Sequence, residues 1–258
     1  IAGLLAVPAM LSVAELASAL PKAGGAYYFL ERALGPSVGT VAGFGTWLSL
    51  VLKDAFALVG MSAYLVLVVD VDGRTAALVL IAVFTLLNVV GSKASSSVQL
   101  VLVVFVLAVL GWFLVDGLIE TTNRGFDGSN LDPFFTGGAS GVVAVVGLVF
   151  VSYGGLTKVA SAAEEVDDPS LRIPLGMGLS LVVGTALYTL GALVAVAVIP
   201  AEVLHEDLAP IHTAAEALLP PVGAALVVIA ALAAFASAVN AGILAAARYP
   251  MAMARDGL

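Results

Sequence analysis

Stretch after stretch of about 20 apolar residues, separated by short polar segments, is the feature that most limits what this chain can become. Backbone amides and carbonyls in hydrocarbon have no water to bond, so only helices and closed barrels can cross it. The ten-residue alternation of a membrane barrel is not present, which leaves helices. With 61% hydrophobic and 11% charged residues, the chain is far from the composition of a soluble domain. It has no cysteine, so disulfide frameworks and thiolate metal sites are excluded. The net charge of −8 bears on surface and solubility rather than on fold.

Seven spans are expected, at 1–20, 37–69, 75–90, 98–115, 142–173, 174–199 and 222–247. Pro8 should kink the first. Gly39 and Gly43 in the second have the spacing that lets helices approach closely, and Ala233, Ser237, Ala241 and Ala245 form a ridge of small residues in the last. Between spans, 26–34 reads as an interfacial helix with Tyr27, Leu30 and Leu34 on one face, closed by Gly35 and Pro36. The stretch 116–138 reads as a long loop. Within 200–221, Leu208, Ile211, Ala215 and Leu218 predict an amphipathic surface helix. One set of alternate loops carries Lys22, Arg32, Lys93, Arg172, Arg248 and Arg255, the other only Arg74 and Arg124, which places loop 21–36 in the cytoplasm. The chain opens inside an apolar run with Ile1 and is read as a portion of a longer protein.

The fifth span is interrupted. Its apolar run meets Phe150, Ser152, Tyr153, Gly154, Gly155, Leu156 and Thr157, and each glycine costs a helix about 1 kcal/mol relative to alanine. Lys158 follows, a charge costing roughly 2.5 to 3.5 kcal/mol at membrane depth. A broken helix beside a charge in the membrane is the pattern of a binding site. Freed carbonyls there must meet protein, cavity water or the ammonium of a ligand.

Three blocks carry a resemblance. They are Ala14-Glu15-Leu16-Ala17-Ser18-Ala19-Leu20-Pro21-Lys22-Ala23-Gly24-Gly25-Ala26-Tyr27, the stretch 150–174, and Ser237-Ala238-Val239-Asn240-Ala241-Gly242 with Met253-Ala254-Arg255-Asp256-Gly257. In this order they resemble the amino acid–polyamine–organocation superfamily, in its amino acid permease branch. The resemblance implies an all-α integral membrane protein of the LeuT-type five-plus-five inverted-repeat fold. Residues 1–258 would then be one transmembrane domain holding the family's second to eighth helices, without the first, ninth and tenth. An Asp that often follows the break in the family's sixth helix aligns here with Thr157, and a fifth-helix Lys that stands in for sodium in some members aligns with Val106.

The function so implied is secondary transport of amino acids or related amines across the cell membrane by alternating access, as symporter or exchanger. A sensor that keeps the transporter fold without moving cargo is the alternative. The solute would be held at Ser152 to Thr157. Lys158, Lys53, Asp54, Ser237 and Asn240 are candidates for ion or proton coupling. The alternatives are a structural ion pair of Lys158 with Asp54 or a Lys158 side chain stretching to the interface, and helix-to-helix hydrogen bonds from Ser237 and Asn240. Lys53 and Asp54, adjacent on one helix, point in different directions. Glu164, Glu165, Asp167, Asp168 and Arg172 read as a solvated cap, or as a gate pairing with Arg32 or Arg255. Proton or sodium coupling and a surrounding bilayer are the expected partners; nucleic acid, cofactor and metal are not. A paired-aspartate protease has only Asp54 at depth, a Ser–His mechanism has no membrane histidine, and a retinal pump would want a lysine in 222–247.

Overall fold

The computed structural model describes the chain except for Ala23, 91–95, 124–136, Thr157, Ala162 and Leu258. All described regular structure is helical: α1 (Ala2–Ala19), α2 (Ala26–Leu34), α3 (Pro36–Val66), α4 (Gly73–Val90), α5 (Ser96–Asn123), α6 (Gly138–Ser152), a 3-10 turn (Tyr153–Gly155), α7 (Lys158–Ser161), a second 3-10 turn (Ala163–Glu165), α8 (Pro169–Val198), α9 (Ala201–Leu204), α10 (Pro210–Leu218) and α11 (Pro221–Arg255). Six stretches are long and apolar enough to cross a membrane, and Gly73–Leu86 is a shorter apolar helix, so six of the seven expected spans reach full length among the described residues.

Several boundaries differ from expectation, and three of them bear on packing. α5 continues to Asn123, so Asp116 and Glu120 lie on a helix rather than in a loop. Thr121 and Thr122 bond back to the carbonyls of Gly117 and Leu118, each at 2.7 Å, a pattern that helical geometry supplies. α8 starts at Pro169 and carries Pro174 inside, five residues before the expected start of that span. α11 runs on to Arg255 through Pro250, because Tyr249 and Ala252 continue to find apolar partners.

The chain forms two compact units, whose limits fall inside α3, α8 and α11. In the first unit (Ile1–Lys53, Phe135–Ala186, Gly242–Leu258), α1 turns Ala2, Ala6, Met10, Ala14 and Ala17 inward. This spacing of about four makes a shallow stripe that backbones can approach closely. It packs on Tyr153, Ala160, Ala163, Ile173, Met177 and Leu181, while Leu4, Leu5 and Leu11 face outward.

In the same unit α2 lies on the two glycines of α3. A Cβ on Gly39 would stand 2.6 Å from Cβ and 2.7 Å from Cα of Glu31, and one on Gly43 would stand 2.9 Å from the Tyr27 ring. The expected close approach is therefore present, with α2 as its partner. The inward face of α2 is Tyr27 and Phe29; Leu34 is exposed. Gly24 (φ +109°) and Gly25 (φ +51°) make the turn from α1 into α2 in a region that side chains resist, and a Cβ on Gly25 would also meet the Tyr249 hydroxyl at 2.8 Å.

The second unit (Asp54–Phe134, Leu187–Ala241) is centred on Val109, Phe113 and Leu114 of α5 against Val194, Ala195 and Ile199, with α10 and the start of α11 completing the cluster. The expected amphipathic helix is α10, which buries Ala214 and Ala215 with Ile211 and Leu218 beside them; Leu208 precedes it and is exposed.

Gly39→Ala should lower stability in detergent by about 1 to 3 kcal/mol, because the obstruction is backbone and cannot swing away. Gly45→Ala on the same helix, where a Cβ meets nothing within 4 Å, should stay within about 0.5 kcal/mol of the parent. Thermal unfolding of the two variants side by side checks the contrast.

Candidate functional site

The interrupted helix is where most of the sequence-predicted site residues lie. α6 ends at Ser152, and the chain tightens into the 3-10 turn with Leu156 N–H donating to the Tyr153 carbonyl at 3.0 Å. The regular i to i+4 ladder is thus abandoned at Tyr153 without extended chain. Gly154 and Gly155 do not have positive φ, so left-handed backbone is not what they provide. They provide space instead: a Cβ on Gly154 would stand 3.5 Å, and on Gly155 3.8 Å, from the Lys53 ammonium of α3.

Lys53 Nζ donates to the Ser152 carbonyl at 3.4 Å, a long bond but one that brings a cation to the end of α6. A helix C-terminus carries partial negative charge, so a cation there is favoured. Asp54, the next residue, is buried. Phe150 and Ser152 are exposed, whereas Gly154, Gly155 and Leu156 are half-buried. Thr157 lies outside the described residues.

Tyr153 is the first buried residue after an α6 that buries none. Its hydroxyl donates to Thr185 Oγ1 of α8 at 3.1 Å. Gly3 of α1 makes room for this pair, since a Cβ there would lie 2.7 Å from Thr185 Oγ1 and 3.0 Å from the Tyr153 hydroxyl. Gly3 and Thr185 were not singled out from the sequence; a hydroxyl in the middle of an apolar span was the available signal for Thr185. Beyond the turn, Lys158 opens α7 and its carbonyl accepts the buried Ser161 hydroxyl at 2.8 Å.

Downstream, the acidic segment finds basic partners other than the two expected. Glu165 pairs with Arg248 of α11, and Glu164 with Lys22 at 3.7 Å. Arg32 goes to Asp256 at 3.8 Å and lies over the Tyr28 ring, 5.2 Å from its centroid. Arg172 pairs with Asp167 at 3.8 Å. Exposed pairs of this kind are worth about 0 to 1 kcal/mol each, so they tether the segment without locking it.

Ser237 and Asn240, in the second unit, have different surroundings. Asn240 Oδ1 accepts from Asn88 Nδ2 of α4 at 3.2 Å, the helix-to-helix bond that sequence reasoning allowed. Ser237 lines an apolar groove of about 250 Å³ between α5 and α11, together with Val106, Leu102, Ala233 and Ala241. The alanine ridge of α11 thus faces this groove along part of its length.

A family model described as amino acid permease matches residues 1–258. The chain belongs to the amino acid permease family. It is 31% identical over 277 residues to a protein named cationic amino acid transporter 4, vacuolar, of Arabidopsis thaliana, covering 100% of this chain and 46% of that one. It is 30% identical to cationic amino acid transporter 3, mitochondrial, of the same plant, covering 100% and 45%. An uncharacterised transporter of Mycobacterium tuberculosis is 28% identical over 263 residues, covering 99% and 57%. The chain therefore spans less than half the length of the first two. This permease chain is a multi-pass membrane protein of a transporter family, not an enzyme.

At the end of the permease chain that carries these ion pairs, Tyr27 is fully buried and donates to Asp256 Oδ2 at 2.8 Å. Burial first, then the bond to and charge of Asp256, push its phenol from 10.0 up to about 12. A raised phenol keeps its neutral, donating form, so its contribution to stability is whole below about pH 10 and is lost as pH rises through about 12. Tyr27→Phe should reduce the ultraviolet tyrosinate step near pH 12 and leave the step near pH 10 unchanged.

Proposed function

We propose that the chain is a transporter domain moving amino acids or related amines by alternating access, as symporter or exchanger, with the solute held at the break from Ser152 to Thr157. The reading takes 1–258 as one domain of the five-plus-five inverted-repeat type, in a cell membrane, with loop 21–36 on the cytoplasmic side. The observation that carries it is the interruption of an otherwise apolar span at Tyr153, in a chain whose family is that of amino acid permeases. A span that merely held helices together would gain nothing from surrendering its ladder in hydrocarbon.

The weak ties at Glu164 and Glu165 suit this mechanism. They hold the segment following the break to the α1–α2 turn and to α11, yet each is cheap to open. Lys158, Lys53, Asp54, Ser237 and Asn240 are the proposed sources of ion or proton coupling, with Lys158 first because it follows the break directly.

The test uses the full-length protein in proteoliposomes with radiolabelled amino acids and an imposed proton or sodium gradient. Accumulation is expected, and Gly154→Leu should lower it at least about tenfold, equivalent to about 1.4 kcal/mol, because the added side chain enters the space next to Lys53. Binding without accumulation would turn the reading to a sensor. Lys158→Met should abolish the pH dependence of uptake; an unchanged pH profile would remove Lys158 from coupling.

A further inference from the structure

Among the described residues from Ser152 to Leu156, Tyr153 is the buried one, and the two that follow it are glycines with no side chain to anchor. The 3-10 bond from Leu156 N–H to the Tyr153 carbonyl has poorer geometry than the helical bond it replaces, so backbone alone defines the turn weakly. Packing supplies the rest. The Tyr153 ring lies in the cluster formed with the small side chains of α1, and its hydroxyl donates to Thr185 Oγ1 of α8 at 3.1 Å. Thr185 follows Pro169, the first residue of α8, by 16 positions in a helix of 30 residues, a rise of about 24 Å. A hydroxyl at that depth of an apolar span has no water to turn to. Gly3 of α1 leaves the space that the bond occupies: a Cβ there would stand 2.7 Å from Thr185 Oγ1 and 3.0 Å from the tyrosine hydroxyl. Gly3, Tyr153 and Thr185 belong to the same compact unit.

We infer that Thr185 is a positioning residue for the solute: by accepting the Tyr153 hydroxyl it fixes the turn, and with it the backbone from Ser152 to Gly155 that the solute meets. This rests on the proposal that the solute is held from Ser152 to Thr157. A ring seated against α1 and a hydroxyl tied to α8 are two fixed points on one side chain. The peptide planes on either side of Tyr153 therefore cannot turn independently of those helices. A site held in its binding geometry before the solute arrives spares the solute the cost of ordering it. The Tyr153 hydroxyl, engaged with α8, serves the solute through the backbone.

The experiment measures uptake of radiolabelled alanine, leucine, glutamate and arginine by the full-length protein in proteoliposomes. Thr185→Val keeps the shape of the side chain and removes the acceptor. It should raise KM at least about tenfold, equivalent to about 1.4 kcal/mol, and leave the maximal rate within about twofold, because bound solute restores the order of the turn. Thr185→Ser should hold KM within about twofold of the parent. Tyr153→Phe should raise it as Thr185→Val does, and the double variant no further, since one bond is lost in all three. A folded Thr185→Val or Tyr153→Phe with the parent's KM overturns the inference even if it unfolds at a lower temperature, because a bond that only supports the fold leaves affinity unchanged. So does a Thr185→Ser as impaired as Thr185→Val. If Thr185→Val does not fold, Tyr153→Phe set against Thr185→Ser decides. A folded parent that takes up none of the four amino acids removes the transport reading itself, and this inference with it.

Discussion

A backbone carbonyl in hydrocarbon must be bonded to something, and this single requirement organises the molecule. For most of its length the chain meets it with uninterrupted helix, and α1, α3, α5, α8 and α11 do so over 18 to 35 residues. α6 does not. Its ladder ends at Ser152, and the surrounding unit supplies what the ladder no longer does: a 3-10 bond at Tyr153, a Lys53 ammonium at the Ser152 carbonyl, and a pocket for the Tyr153 ring among the alanines of α1.

Those alanines show how the first unit affords an irregular segment at all. Helices in a bilayer gain little from burying apolar surface, since lipid is as apolar as leucine, so close packing of small residues must substitute. Ala2, Ala6, Ala14 and Ala17 give α1 a stripe on which the turn and the start of α8 can settle. Gly39 and Gly43 do the same for α2, and Gly117 for Val194, whose Cγ1 would lie 2.6 Å from an added Cβ. At the charged end of this unit the logic changes. Water is available there, the ion pairs of Glu164 and Glu165 are exposed, and they hold the downstream segment weakly.

Much of the architecture was legible in the sequence because it depends on local composition. Apolar runs of sufficient length become helices whatever they touch, as at Ala2–Ala19 and Pro36–Val66. Where the expected ends were wrong, the missing information was tertiary or lay outside hydrocarbon: nothing local to 247–255 says that Tyr249 and Ala252 find Tyr27, and the hydrophobic run of α5 ends before its helix does. The interruption after Ser152 was legible because two glycines and a hydroxyl in an apolar run weaken a helix wherever they stand.

What the sequence by itself determined, then, is where the chain crosses and where it yields, since both follow from residues a few positions apart. Which charge meets the yielding point was decided only by the tertiary structure. Lys53 precedes Ser152 by 99 residues, and Glu165 precedes Arg248 by 83. Electrostatic partners at that separation are chosen by how helices pack, and packing depends on the shape of whole faces, which no short stretch of sequence encodes.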